Sequence, residues 1–145
     1  MNIAIDPGTT HSAFVQFHNG KVIDHGHLPN EEMRQVLIGR EYTRCACEMI
    51  ASYGMAVGAS TFETCVWIGR FIEVARVDVE PIFRKDIKLF LCGTMRAKDA
   101  NIRQALLDLI GPQGTKAQPG PTYGIKSHAW AALAVAVYAA QQKEK

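Results

Sequence analysis

Asn19-Gly20 separates two strand-like stretches, Ser12 to His18 and Lys21 to Leu28. An Asn-Gly pair readily supplies positive φ at both central positions of a type I′ turn, whose twist matches that of two flanking strands. The early chain is thereby committed to an antiparallel hairpin. Ahead of it, Asn2-Ile3-Ala4-Ile5-Asp6 reads as a short apolar strand ending on a carboxylate. Asp6-Pro7-Gly8 then carries turn chemistry. Three successive strands joined this closely predict an antiparallel half-sheet.

The rest of the chain alternates. Pro29-Asn30-Glu31-Glu32 opens a helix with Asn30 as N-cap and acids in the first turn, running to about Gly39. Arg44 to Ile50 is a fourth strand. Its period of two points Cys45, Cys47 and Met49 one way, and Arg44, Ala46 and Glu48 the other. Ser60-Thr61-Phe62-Glu63 has the form of a capping box before a helix carrying Val66, Trp67, Phe71 and Val74 at helical spacing. Val77 to Phe83 is a fifth strand. A basic helix follows over Arg84 to Leu91, broken at Cys92-Gly93-Thr94. An amphipathic one covers Ala97 to Ile110, with Ile102, Leu106 and Leu109 on one side. Gly111 to Gly124 is turn-rich, and Lys126 to about Gln142 is an apolar, Ala-rich helix. The order β-β-β-α-β-α-β-α-α-α predicts an α/β fold. Its mixed five-stranded sheet has three antiparallel strands, then parallel ones, flanked by helices on both faces. At 145 residues this is one domain, 1–145.

Composition narrows the function. The longest apolar run, Ala129 to Ala140, is too short for a membrane span of about 20 residues and predicts a buried helix. The start of the chain shows no signal-peptide pattern, so the expected location is the cytoplasm. Cys45, Cys47, Cys65 and Cys92 form no zinc spacing and read as small, reduced, buried apolar residues. The net charge of +2 conceals a division: residues 1–83 hold six Lys/Arg against ten Asp/Glu, net −4, and residues 84–145 hold ten against four, net +6.

Two acids stand at strand positions, Asp6 and Glu48, and His128 lies in the last helical segment. Each has a plainer reading: Asp6 as a turn residue, Glu48 as an exposed strand carboxylate, His128 as a polar helix terminus. Together, two acids on neighbouring strands could share a hard divalent cation, with His128 as third ligand. Arg84, Lys85, Lys88, Arg96, Lys98 and Arg103 cluster in a short span and read as a phosphodiester footprint, or as a solvated helix face.

These residues resemble the RuvC-type Holliday-junction resolvases of the RNase H-like superfamily, in a phage or prophage branch. Ile3-Ala4-Ile5-Asp6-Pro7-Gly8 is similar to the first-strand motif, Cys47-Glu48 to the fourth-strand glutamate, and Lys126 to Ala136 to the C-terminal helix motif. The resemblance implies an RNase H-like nuclease domain that resolves branched DNA as a homodimer. It implies two Mg²⁺ ions per site, with Mn²⁺ as substitute, held by Asp6, Glu48 and His128, and no nucleotide cofactor. Products would carry a 5′-phosphate and a 3′-hydroxyl. Lys88 and Lys98 fall near positions where resolvases place basic residues, with Lys85 and Arg96 beside them. Tyr53 lies in the loop that approaches the junction centre, where an aromatic ring could stack on an unpaired base. The helix motif departs from the family pattern, with His128 for one carboxylate and Ala131 for another. Apolar helix surface around Trp67 and Phe71 would serve a dimer, or the core of one chain.

Two other readings stay in view. The altered helix motif suits a branched-nucleic-acid binding module without catalysis. Asp6-Pro7-Gly8-Thr9-Thr10 also resembles the phosphate loop of actin-like ATPases, although those need two lobes and this length supplies one.

Overall fold

The computed structural model describes residues 1–143; Glu144 and Lys145, counted above in the charge of the second half, lie outside them. The elements are β1 (Asn2–Asp6), β2 (His11–His18), β3 (Lys21–Pro29), α1 (Asn30–Gly39), β4 (Arg44–Met49), α2 (Ala59–Val74), β5 (Val79–Phe83), α3 (Arg84–Cys92), α4 (Asp99–Ile110) and α5 (Ala129–Lys143). The sheet order is β3-β2-β1-β4-β5. β1, β2 and β3 pair antiparallel, and β4 pairs parallel with both β1 and β5. The hairpin turns at Asn19 and Gly20, with φ of 50° and 76°. No helix among the described residues is long and apolar enough to cross a membrane.

Strand alternation divides the interior in two. Ile3, Ile5, Phe14, Cys45 and Cys47 face one way and pack with Met33 and Leu37 of α1 and Ile68 and Phe71 of α2. Ala4, Ala13, Val15, Ala46 and Ile82 face the other way, under α3, α4 and α5. α5 is apolar nearly all round because it lies buried across β1 and β2. Its alanines allow close approach to the sheet.

Several local expectations change. α5 begins at Ala129, not Lys126, because Ser127 has φ of 53° and cannot continue a helix. The carbonyls of Lys126, Ser127 and His128 instead accept the first N–H groups of α5. Ser60 does not cap α2: the helix starts after Gly58, and the Ser60 carbonyl accepts Thr64 Oγ1 at 2.9 Å. Asn30 is the first residue of α1 and its side chain is spent elsewhere. It accepts from Ser12 Oγ at 2.6 Å and donates to the Gly8 carbonyl at 2.9 Å. Val66 and Leu109 face solvent, whereas Phe71 is wholly enclosed. Cys45 and Cys47 are buried as expected, and burial raises both thiol pKa values, Cys45 to about 12. Cys65 is exposed.

Candidate active site

Asp6 and Glu48 converge because β1 and β4 run parallel. Ile5 lies opposite Cys47, so the next residue of each strand, Asp6 and Glu48, emerges at the same end of the sheet. Alternation turns both towards the side covered by α5. Carboxyl ends of parallel strands are where open α/β sheets place their ligand sites. His128 reaches the same point from the turn before α5, its Nδ1 3.2 Å from Asp6 Oδ2. A carboxylate oxygen there accepts the Nδ1 proton, so a neutral ring keeps its lone pair on Nε2. The Asp6 side chain is 12% exposed and that of His128 64%.

The electrostatics are those of too much negative charge in too little water. Burial raises the Asp6 pKa, opposed by the charges of His128 and Arg84. Burial, reinforced by the Asp6 charge and opposed by Arg84, pushes Glu48 up to about 7. The Arg84 guanidinium stands 3.5 Å from Glu48 Oε1 and also bonds Asp99. Glu48 Oε1 is nevertheless buried without a hydrogen-bond partner. Such an orphaned acceptor beside a second acid fits a hard cation. Among the described residues no three His, Cys, Asp or Glu side chains stand close enough together to form a metal cage. The donors therefore fit a divalent ion held by one or two carboxylates and completed by water.

Solved structures supply the comparison for this arrangement. Thermus thermophilus RuvC matches with a TM-score of 0.66 and 17% identity, over 97% of this chain and 96% of that one. The T. thermophilus RuvC in complex with Holliday junction substrate matches with a TM-score of 0.64 and 18% identity, over 97% and 95%. The chain has the RuvC fold. No protein-family model and no curated protein matches it.

Within this RuvC fold, Asp6, Glu48 and His128 line one cleft of about 1050 Å³. Lys88, Arg96 and Lys98 line it with them. Lys85 is exposed on α3 and is not part of its wall. Tyr53 is 63% exposed in the loop after β4, with φ of 50°, also outside the cleft.

Sequence reasoning missed three features. Arg84 was one cation of a basic run, and nothing local marks it as the partner of Glu48 and Asp99. Arg103 lies over the Trp130 ring, 5.7 Å from its centroid, which places both in the cleft wall. His11 and His27 stand in a row with His128; period-two alternation across the hairpin was the available signal.

Proposed function

We propose that this chain is a metal-dependent, structure-selective DNA endonuclease that resolves four-way junctions. One observation carries the reading: Asp6, Glu48 and His128 meet in a cleft rimmed by Arg84, Lys88, Arg96 and Lys98, within a RuvC fold. The T. thermophilus RuvC solved with a Holliday junction supports the same substrate class here.

Asp6 and Glu48 would hold Mg²⁺, two ions per site, with His128 drawn in as a third donor, and Mn²⁺ would substitute. When bound, they would supply the acidity that activates a water and the charge that stabilises a leaving 3′-oxygen. The protein's own groups position the reaction. The Asp6–His128 bond fixes the imidazole. Arg84 sets a positive charge beside Glu48, where the non-bridging oxygens of a phosphodiester gather charge. Lys88, Arg96 and Lys98 grip the backbone. Lys85 and Tyr53, outside the cleft, meet DNA only where a branched substrate spreads beyond it, with Tyr53 stacking on an unpaired base. The products carry a 5′-phosphate and a 3′-hydroxyl. The protein acts in the cytoplasm as a homodimer, for which the exposed Phe62, Val66 and Ile72 of α2 offer an apolar stripe.

Asp6→Asn tests the reading. It should abolish cleavage of a synthetic four-way junction while leaving binding within a few-fold of wild type. Cleavage at the wild-type rate by this variant would overturn the site. A second reading, junction binding without catalysis, draws on the lack of a three-ligand cluster among the described residues and on the methyl group of Ala131 in the cleft wall. Tight junction binding by the wild type with no cleavage in either Mg²⁺ or Mn²⁺ would select it.

A further inference from the structure

A second depression opens on the other side of Asp6 and His128. The turn after β1 and the end of β3 enclose a groove of about 540 Å³, which shares only Asp6 and His128 with the cationic cleft. Its walls carry Thr9, Thr10, His11 and His27, and neither Lys nor Arg. His27 pairs with Ala13, so alternation puts His27 and His11 on one side of the sheet, the side of His128. The three rings follow one another, with centroids 5.6 Å apart from His11 to His27 and 5.2 Å from His27 to His128. Thr10 Oγ1 lies 3.0 Å from His11 Nδ1. A hydroxyl donating there leaves the ring proton on Nε2, free to donate outward.

A nucleic-acid strand is continuous, so a phosphodiester lying at Asp6 and Glu48 has a neighbour on each side. The cationic cleft and the histidine groove meet at Asp6 and His128, so a strand entering through one would leave through the other. We propose that this groove is a second nucleic-acid subsite, binding the phosphate of the nucleotide next to the reacting phosphodiester through the neutral ring donors of His11 and His27, with Thr10 setting the His11 tautomer. This rests on the nuclease reading above. It adds a distinct chemistry, because Lys and Arg bind phosphate by charge and counterion release, whereas neutral donors bind by hydrogen-bond geometry.

The test uses four-way junctions with single methylphosphonate linkages, which lack the phosphate charge and one acceptor oxygen, stepped across the mapped cleavage site. Binding is measured without divalent metal at pH 8, where the His27 ring, its pKa lowered by burial, is neutral. At a linkage on one flank, the substitution should weaken wild-type binding about fivefold, the size of one net hydrogen bond. That penalty should vanish in His27→Phe, which keeps a ring without an N–H, and persist in His27→Gln, which keeps a donor. Lys98→Ala should instead erase penalties on the opposite flank and lower the salt dependence, which His27→Phe leaves unchanged. Equal penalties in wild type and His27→Phe at every linkage would overturn the subsite. A lowered salt dependence in His27→Phe would overturn the neutral-donor chemistry. Failure of the nuclease reading is seen separately, as wild-type cleavage by Asp6→Asn; absence of junction binding would overturn both.

Discussion

Asp6 and Glu48 are acids that folding drives towards their neutral forms, and the sign of that shift makes a prediction. Both pKa values are raised, so between the ordinary carboxylate range and about pH 7 the folded chain binds more protons than the unfolded one. Their contribution to stability is complete below about pH 4 and falls away as pH rises through the folded values. Glu48→Gln removes the larger penalty. In chelator at pH 8 it should raise the melting temperature by roughly 3–10 °C, and at pH 4.5 change it little. A variant less stable than wild type at pH 8 would contradict this account of the site. His128→Asp probes the proposed third ligand: cleavage should persist, with metal preference shifting further towards Mg²⁺ over Mn²⁺, because a carboxylate is a harder donor than an imidazole. An unchanged metal profile would remove His128 from the ligand set. Both carboxylates were legible in the sequence, one from a strand ending in Asp-Pro-Gly and one from the alternation of Arg44 to Ile50. The Asp6–His128 bond was not, because it joins residues 122 positions apart through a turn that only the left-handed Ser127 permits.

The turn that follows Asp6 is held in place by buried polar groups. The turn after β1 is tied by three polar contacts: Gly8 N–H to Ser12 Oγ at 3.1 Å, Ser12 Oγ to Asn30 Oδ1 at 2.6 Å, and Asn30 Nδ2 to the Gly8 carbonyl at 2.9 Å. Ser12 and Asn30 are almost fully buried. Gly8 admits no side chain, since a Cβ there would lie 2.2 Å from the His11 carbonyl oxygen. The start of α1 is thus fastened to the turn that carries Asp6. Asn30→Ala leaves the Ser12 hydroxyl proton without an acceptor and the Gly8 carbonyl without a donor, and should cost about 1–3 kcal/mol of stability. It should also lower cleavage more than junction binding, because Asp6 loses its fixed position. Unchanged thermal melts would show that the network carries no weight. Asn30 was read as an N-cap because Asn before an acidic turn has that form. The structure uses the same donor and acceptor for a contact across strands, which local sequence cannot distinguish. The Ser60 capping box failed differently: Gly58 started α2 earlier, leaving Ser60 inside the first turn. The mixed sheet does not depend on any one cap, because it follows from the Asn-Gly hairpin and from strands alternating with helices.

Taken whole, the molecule separates its charges and its apolar surfaces. The net −4 of residues 1–83 includes the buried Asp6 and Glu48, and the net +6 of residues 84–145 includes the cations that line the cleft. A near-neutral total therefore hides a local cationic surface. Removing Lys88 and Lys98 together should lower the slope of log binding constant against log salt by about 2, with affinity falling for every DNA structure alike. On the opposite side of the sheet, Trp67 and Phe71 were candidates for a dimer surface, but Phe71 is fully buried within the chain. On α2 the exposed large apolar residues are instead Phe62, Val66 and Ile72. A four-way junction needs two symmetric cuts, and a two-fold dimer supplies two sites from one self-complementary surface. Val66→Glu puts a charge in the middle of that stripe, where it costs the single chain nothing because the position is already exposed. The variant should sediment as a monomer with an unchanged melting curve, and should nick junctions without resolving them by paired cuts. A variant that remains dimeric, or a wild type that is monomeric while still making paired cuts, would rule out this stripe as the interface.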